Sequence, residues 1–120
     1  MQFVYLQEIV NIKNDMDIII EIELGEVIAN RELNYKSTNG EQSLIVKLGK
    51  PRLDSKPGGD WECPIQIGEK IKLGYGVDSY QALLMAIQLV SIDLKYLKDK
   101  QKLNLNWLGM DDLGLNPISE

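Results

Sequence analysis

The stretch WECPIQIGEKIKLGYGVDSYQALLMAI (residues 61–87) decides the fold, because within it the hydrophobic period changes from that of a strand to that of a helix. Up to Val77, apolar residues alternate around a Gly-Glu-Lys turn, which reads as a β-hairpin. The register follows from keeping oil and charge on separate faces. A two-residue Gly68-Glu69 turn would set Ile67 opposite Lys70 and Gln66 opposite Ile71. A three-residue Gly68-Glu69-Lys70 loop instead pairs Ile67 with Ile71, Ile65 with Leu73, Cys63 with Tyr75 and Trp61 with Val77, leaving Glu62, Gln66, Lys72 and the glycines outside. The pattern therefore predicts the longer loop. Pro64 has no N–H to give to a ladder, so its strand is expected to have an unpaired or bulged margin there.

Asp78 precedes the helical run and Gln81 stands three positions on, the spacing of a capping box. A helix is predicted to start there and to end among Lys98, Lys100 and Lys102, where cations suit its negative pole. At 100° per residue, Leu83, Ala86, Ile87, Val90, Leu94 and Leu97 fill one arc, with Met85, Leu89, Ile92 and Tyr96 in a second beside it. Gln88, Ser91, Lys95 and Lys98 define the wet side. An apolar face this broad exceeds what one sheet covers, so a further segment is expected on the second arc. Leu103, Leu105, Trp107 and Leu108 are the natural candidates after the helix, and Phe3, Val4, Tyr5, Leu6 and Ile9 before the sheet.

Upstream, DIIIEIEL (17–24) alternates as a half-buried strand, and Gly25-Glu26 turns the chain into a second strand, VIANRELNY. TNGEQ (38–42) carries an Asn-Gly turn leading into SLIVKL (43–48). The fold class that results is α+β: an antiparallel sheet of four to five strands built from hairpins, followed by one long helix packed on one face. One domain is expected over residues 1–120, with an N-terminal extension or strand over 1–27 and a core over 28–117.

Composition narrows the function. The chain has 120 residues, 44% of them apolar, and a net charge of −5, an ordinary globular make-up. Residues 1–35 hold seven acids against Lys13 and Arg31, whereas residues 36–110 hold eleven bases against eight acids. An acidic total argues against nucleic-acid binding, which depends on neutralising phosphates. It suits a basic partner. The opening stretch lacks a secretory pattern and no segment is apolar enough to span a bilayer, so a cytoplasmic protein that does not enter a membrane is expected.

Histidine is absent, which removes Ser-His and Cys-His nucleophile pairs, and one cysteine cannot make a zinc site. Cys63 itself has an inward strand position that suits a buried structural thiol. Asp54, Asp60, Glu62 and Asp78 are carboxylates that could gather near one end of the sheet as metal ligands or an acid/base pair, but Asp78 serves as a cap and Asp60 suits a loop-satisfying role. Two glycines before the helix start are a place where anions bind, without a dinucleotide fingerprint. Of Trp61 and Trp107, one is expected in the core and one as a partly exposed anchor. No catalytic residue, metal or cofactor is expected.

Three ordered stretches, GKPRLDSKPGGDWECPIQI (49–67), YGVDSYQALLMAI (75–87) and LNWLGMDDLGLNP (105–117), resemble a family of short uncharacterised bacterial proteins catalogued as a domain of unknown function. The resembling motifs are Gly-Asp-Trp-x-Cys, Gly-Val-Asp-Ser-x-Gln-Ala-Leu and Trp-Leu-Gly, and the resemblance covers about residues 28–117. It implies one compact domain and brings no activity or site residues.

The functional expectation is a non-enzymatic binding protein, such as an immunity or antitoxin-like partner of a basic toxin domain, with Glu21, Glu23 and Glu26 on the partner surface. The alternative is a small-molecule or anion site between residues 57–61 and the helix start, lined by Asp60, Trp61, Tyr75, Asp78 and Gln81. The broad helix face also suits a homodimer interface.

Overall fold

The computed structural model describes residues 22–54 and 60–115. In chain order these form β1 (Val27–Ser37), β2 (Gly40–Gly49), β3 (Arg52–Leu53), β4 (Trp61–Ile67), β5 (Lys70–Gly76) and α1 (Ser79–Asp99). Every strand pair is antiparallel. β2 pairs with residues 65–67 of β4 and, past the Lys50-Pro51 step, β3 takes over the same edge at residues 61–62. The sheet is thus a meander, with α1 following it, the α+β arrangement expected. Pro64 falls in the gap between the two ladders, where its missing N–H costs nothing.

Alternation along the strands puts Leu33, Leu44, Val46, Cys63, Ile65 and Ile67 on the helix side, against Ala82, Ala86, Val90, Leu94 and Leu97. Each such Leu or Ile contributes about 1.5–3 kcal/mol by leaving water. At the helix start, Asp78 Oδ1 accepts from Gln81 N–H at 2.8 Å and Gln81 Oε1 accepts from Val77 N–H at 2.8 Å. The capping pair expected from the sequence therefore forms, with Gln81 reaching one residue further back than Asp78. At the other end, the Lys100 N–H bonds Tyr96 O, and the chain leaves through Lys102 at φ +58. Among the described residues, no helix is long and apolar enough to cross a membrane.

The β4–β5 register corrects the sequence reading. The turn is the two-residue Gly68-Glu69, with Gly68 at φ +61, and Ile67 pairs with Lys70, Ile65 with Lys72, Cys63 with Gly74 and Trp61 with Gly76. The helix-facing side of β5 is therefore Lys70, Lys72, Gly74 and Gly76, and Tyr75 and Leu73 point the other way. The reason is distance. A Cβ built on Gly74 would lie 2.5 Å from Ala86 N, and one on Gly76 would lie 2.4 Å from Ala82 N. The helix backbone rests directly on the strand, so the side of β5 that looks empty in sequence is the side that α1 occupies.

Two further expectations fare differently, one lying mostly outside the described residues and one corrected. Ile22–Leu24 are not in a strand, and the rest of the 17–24 segment lies outside the described residues, as do Phe3 to Ile9 and residues 55–59. The segment after α1 buries Leu103, Leu105 and Leu113 but does not cover the second arc of the helix. It lies along the edge of β1 away from β2, where Asn34 N–H donates to Asn106 O at 2.9 Å and Asn106 N–H to Asn34 O at 2.8 Å. An open strand edge offers main-chain hydrogen bonds that a helix face cannot. Met85, Ile92 and Tyr96 stay 40%, 61% and 48% exposed.

The two registers make opposite demands on Gly74 and Tyr75. Gly74→Ala is expected to lower stability by about 1–3 kcal/mol or more through overpacking against Ala86, whereas Tyr75→Ala, on the outer side, is expected to cost under about 1 kcal/mol. Urea unfolding of the two variants checks this, and a tolerated Gly74→Ala would restore the longer loop.

Candidate functional site

The residues singled out from sequence do not share one face: Asp78 and Gln81 bond each other beside Gly76, the strand partner of Trp61, whereas Tyr75 points to the other side of the sheet. Asp60 is exposed, and its carbonyl accepts from Asp54 N–H at 2.7 Å across the 55–59 segment. Trp61 is partly buried against the core, on the face opposite to Tyr75. Asp78 and Gln81 are spent on the helix cap described above. Glu62 is held by Arg52, with Nε 2.7 Å from Oε2. Glu23 and Glu26 are exposed, and Glu21 lies outside the described residues. Among the described residues, no three His, Cys, Asp or Glu side chains gather as metal ligands would.

Cys63 is fully buried on the core face, and its thiol donates to Gly49 O at 3.3 Å. Burial pushes its pKa up from the ordinary 9.0 to about 11, against a smaller opposing pull from the Arg52 charge. A thiol held neutral there is packing, not a nucleophile. On β5, Lys72 Nζ lies 2.9 Å from Asp93 Oδ1 of α1, and Asp93 Oδ2 is buried with no hydrogen-bond partner among the described residues. Burial, then the Lys72 charge, pushes the neighbouring Lys70 ammonium down from the usual lysine range, and Asp93 opposes the shift.

The most constrained group is one the sequence reading passed over. Arg31 pairs with Val46 in the β1–β2 ladder, which places it on the core face in phase with Leu33. Its guanidinium stacks 3.9 Å from the centre of the Trp107 ring, and Nη1 donates to Leu113 O at 3.0 Å and Gly114 O at 2.7 Å. Gly114 packs against both partners, and a Cβ added there would come within 2.3 Å of the indole and 3.0 Å of Arg31 Nη1. Trp107 is thus held by a cation on its face and by the tail backbone that the same cation bonds. A period-two count from Leu33 was the available signal: an arginine in phase with core leucines needs a partner, and the tail supplies a tryptophan.

Trp107 opens a tight turn, with Trp107 and Met110 exchanging two backbone hydrogen bonds of 2.9 Å. Both residues between them have positive φ, Leu108 at +54 and Gly109 at +83. Glycine takes that conformation freely; leucine does so at a cost of about 1–2 kcal/mol. Leu108 is also 75% exposed, so neither backbone nor burial explains a leucine there.

Beside the clamp, an apolar cleft of about 280 Å³ opens between the β1–β2 half of the sheet and α1. Ala29, Leu33, Val46 and Leu48 form one wall, Ile87, Val90 and Leu94 the other, and Arg31 and Gly114–Leu115 the end. It exists because the glycine contact draws α1 toward β5. A second cleft, of about 350 Å³, lies between α1 and the tail around Lys95, Lys98, Asp111 and Asp112.

A family model for a domain of unknown function, DUF6968, matches residues 29–117. The chain belongs to this family. The match begins one residue inside the 28–117 span of the resemblance and takes in all of the sheet but the first two residues of β1, together with α1 and the tail, so the Arg31–Trp107 contact lies wholly within the family domain. No curated protein and no solved structure matches the chain.

Two outcomes test this description. Replacing Leu108 with Asn, which makes the Asn-Gly pair favoured in such turns, is expected to raise stability by about 1 kcal/mol, and a loss in urea unfolding would contradict the assigned turn. The thiol of Cys63 is expected to resist a disulfide reagent at pH 8 until the chain unfolds. Between pH 9.0 and about 11 the unfolded chain releases a proton that the native thiol keeps, so stability falls across that window. Cys63→Ala removes that share of the slope; an unchanged slope in pH-dependent unfolding would refute the burial effect.

Proposed function

We propose that the chain is a non-enzymatic binding protein whose partner is another protein, in the finer reading an immunity or antitoxin-like partner of a basic domain. The observation that carries this is the outward surface of α1. Met85, Ile92 and Tyr96, which share one stripe, are 40%, 61% and 48% exposed, and Tyr80 and Leu84 are 69% and 45% exposed further round the same helix of 21 residues. Folding alone gives no reason for Met85, Ile92 and Tyr96 to stand in water along one stripe, and apolar surface gathered in this way on a single-domain protein marks an interaction site. Tyrosine and methionine are also enriched at interface cores. The charge of −5 and the exposed Glu23 and Glu26 favour encounter with a basic surface.

The test compares the wild-type chain with an Ile92→Glu, Tyr96→Ser variant as bait in extracts of the native host, with sedimentation of each alone. Both changes lie on the exposed face, so stability is expected to move by no more than about 0.5 kcal/mol per site. The expected result is a basic protein held by the wild type, released by salt and bound at least about tenfold more weakly by the variant. A dimer of the wild type abolished in the variant would assign the face to self-association instead. A wild-type chain that stays monomeric at micromolar concentration and retains no protein would overturn the reading.

A further inference from the structure

We propose that Arg31 and the cleft beside it form a binding site for a small amphipathic monocarboxylate, with the carboxylate on the guanidinium edge and the tail between α1 and the β1–β2 face. Three observations converge on that ligand class. The cleft walls are apolar, with Leu33, Val46, Leu48, Val90 and Leu94 among them, so the body of the ligand is hydrocarbon. The volume of about 280 Å³ is roughly twice that of a cavity known to hold benzene (~150 Å³), which admits one substituted ring or a medium alkyl chain. The end of the cleft carries a cation. Among the described residues, Arg31 has no carboxylate partner, its Nη1 bonds go to two main-chain carbonyls, and Nε and Nη2 have no acceptor.

The arginine is also held in place in advance. Stacking on Trp107 and the two carbonyl bonds fix the plane of the guanidinium, so a ligand does not have to order a mobile side chain. A planar fork with a free edge matches a carboxylate by two parallel hydrogen bonds. A dianion such as a phosphate ester would find one cation and apolar walls, which leaves half its charge uncompensated. A neutral lipid would leave the guanidinium edge unused. With a net charge of −5 the chain as a whole repels anions, so recognition rests on this local contact rather than on long-range attraction. The site is distinct from the outward face of α1 on which the protein-binding reading rests, and each stands or falls separately.

The experiment titrates the full chain with octanoate and, in parallel, with octan-1-ol, by calorimetry and by amide chemical shifts. Octanoate is expected to bind saturably, about tenfold or more tighter than octan-1-ol, with shifts centred on residues 29–33, 46–48 and 87–94. Arg31→Gln is expected to erase the preference for the acid. Ala29→Phe, which fills the cleft from its rim, is expected to weaken both ligands at least about tenfold with the urea midpoint unchanged. If octanoate binds no better than octan-1-ol, or a folded Ala29→Phe binds both as before, the proposal is wrong. Arg31 also anchors the tail, so if Arg31→Gln does not fold, the acid-to-alcohol ratio of the wild type and the Ala29→Phe result decide the matter alone.

Discussion

The rest of the structure depends on how closely the backbone of α1 lies on β5. Gly74 and Gly76 leave no side chain between the strand and Ala82 and Ala86, so the two elements meet backbone to backbone. That contact is short-range in sequence and rigid, and it settles where the helix axis runs. Because α1 is drawn to the β4–β5 side, the β1–β2 half of the inner face is not fully roofed by it. A helix centred on the sheet, with Leu73 and Tyr75 as its floor, would have stood higher and closed the cleft.

The uncovered half is managed by the tail. Leu103, Leu105 and Leu113 complete the core, Asn106 pairs with Asn34, and Arg31 fastens Trp107 and the carbonyls of Leu113 and Gly114. An arginine on the core face would be costly if left unpaired. Here its charge is met by a π-face and two carbonyl dipoles, which neutralise it less completely than a carboxylate would. The same incompleteness gives the cleft its one polar end. Structural and recognition roles therefore share one side chain.

Much of the architecture was legible in the sequence because local rules governed it. The helix start needed only Asp78 and Gln81, the β1–β2 hairpin only alternation and a turn, and the inward place of Cys63 only its phase in β4. The β4–β5 register was not legible, because the rule that hydrophobic side chains seek the core ranks glycine last. Glycine faces a core when what must approach is backbone. The tail was misplaced for a related reason: apolar content shows that a segment is buried, but the edge of β1 chose where. Of the candidate site, Asp60, Trp61, Tyr75, Asp78 and Gln81 were chosen for their residue types near one loop. The strand alternation sends Trp61 and Tyr75 to opposite faces, and Arg31 stood too far from Trp107 in sequence for any local pattern to connect them.

That separation in sequence also has a kinetic side. β1 to β2, β4 to β5 and β5 to α1 are all contacts between neighbours in the chain, the kind that close early with little loop entropy. The contacts of Arg31 with Leu113 and Gly114 span 82 and 83 residues, and that of Asn106 with Asn34 spans 72. They are the last to be worth their ordering cost on the way in, and the first to be given up on the way out. The tail is therefore a latch, a segment that closes on a sheet and helix already formed and that carries with it these contacts of long sequence span.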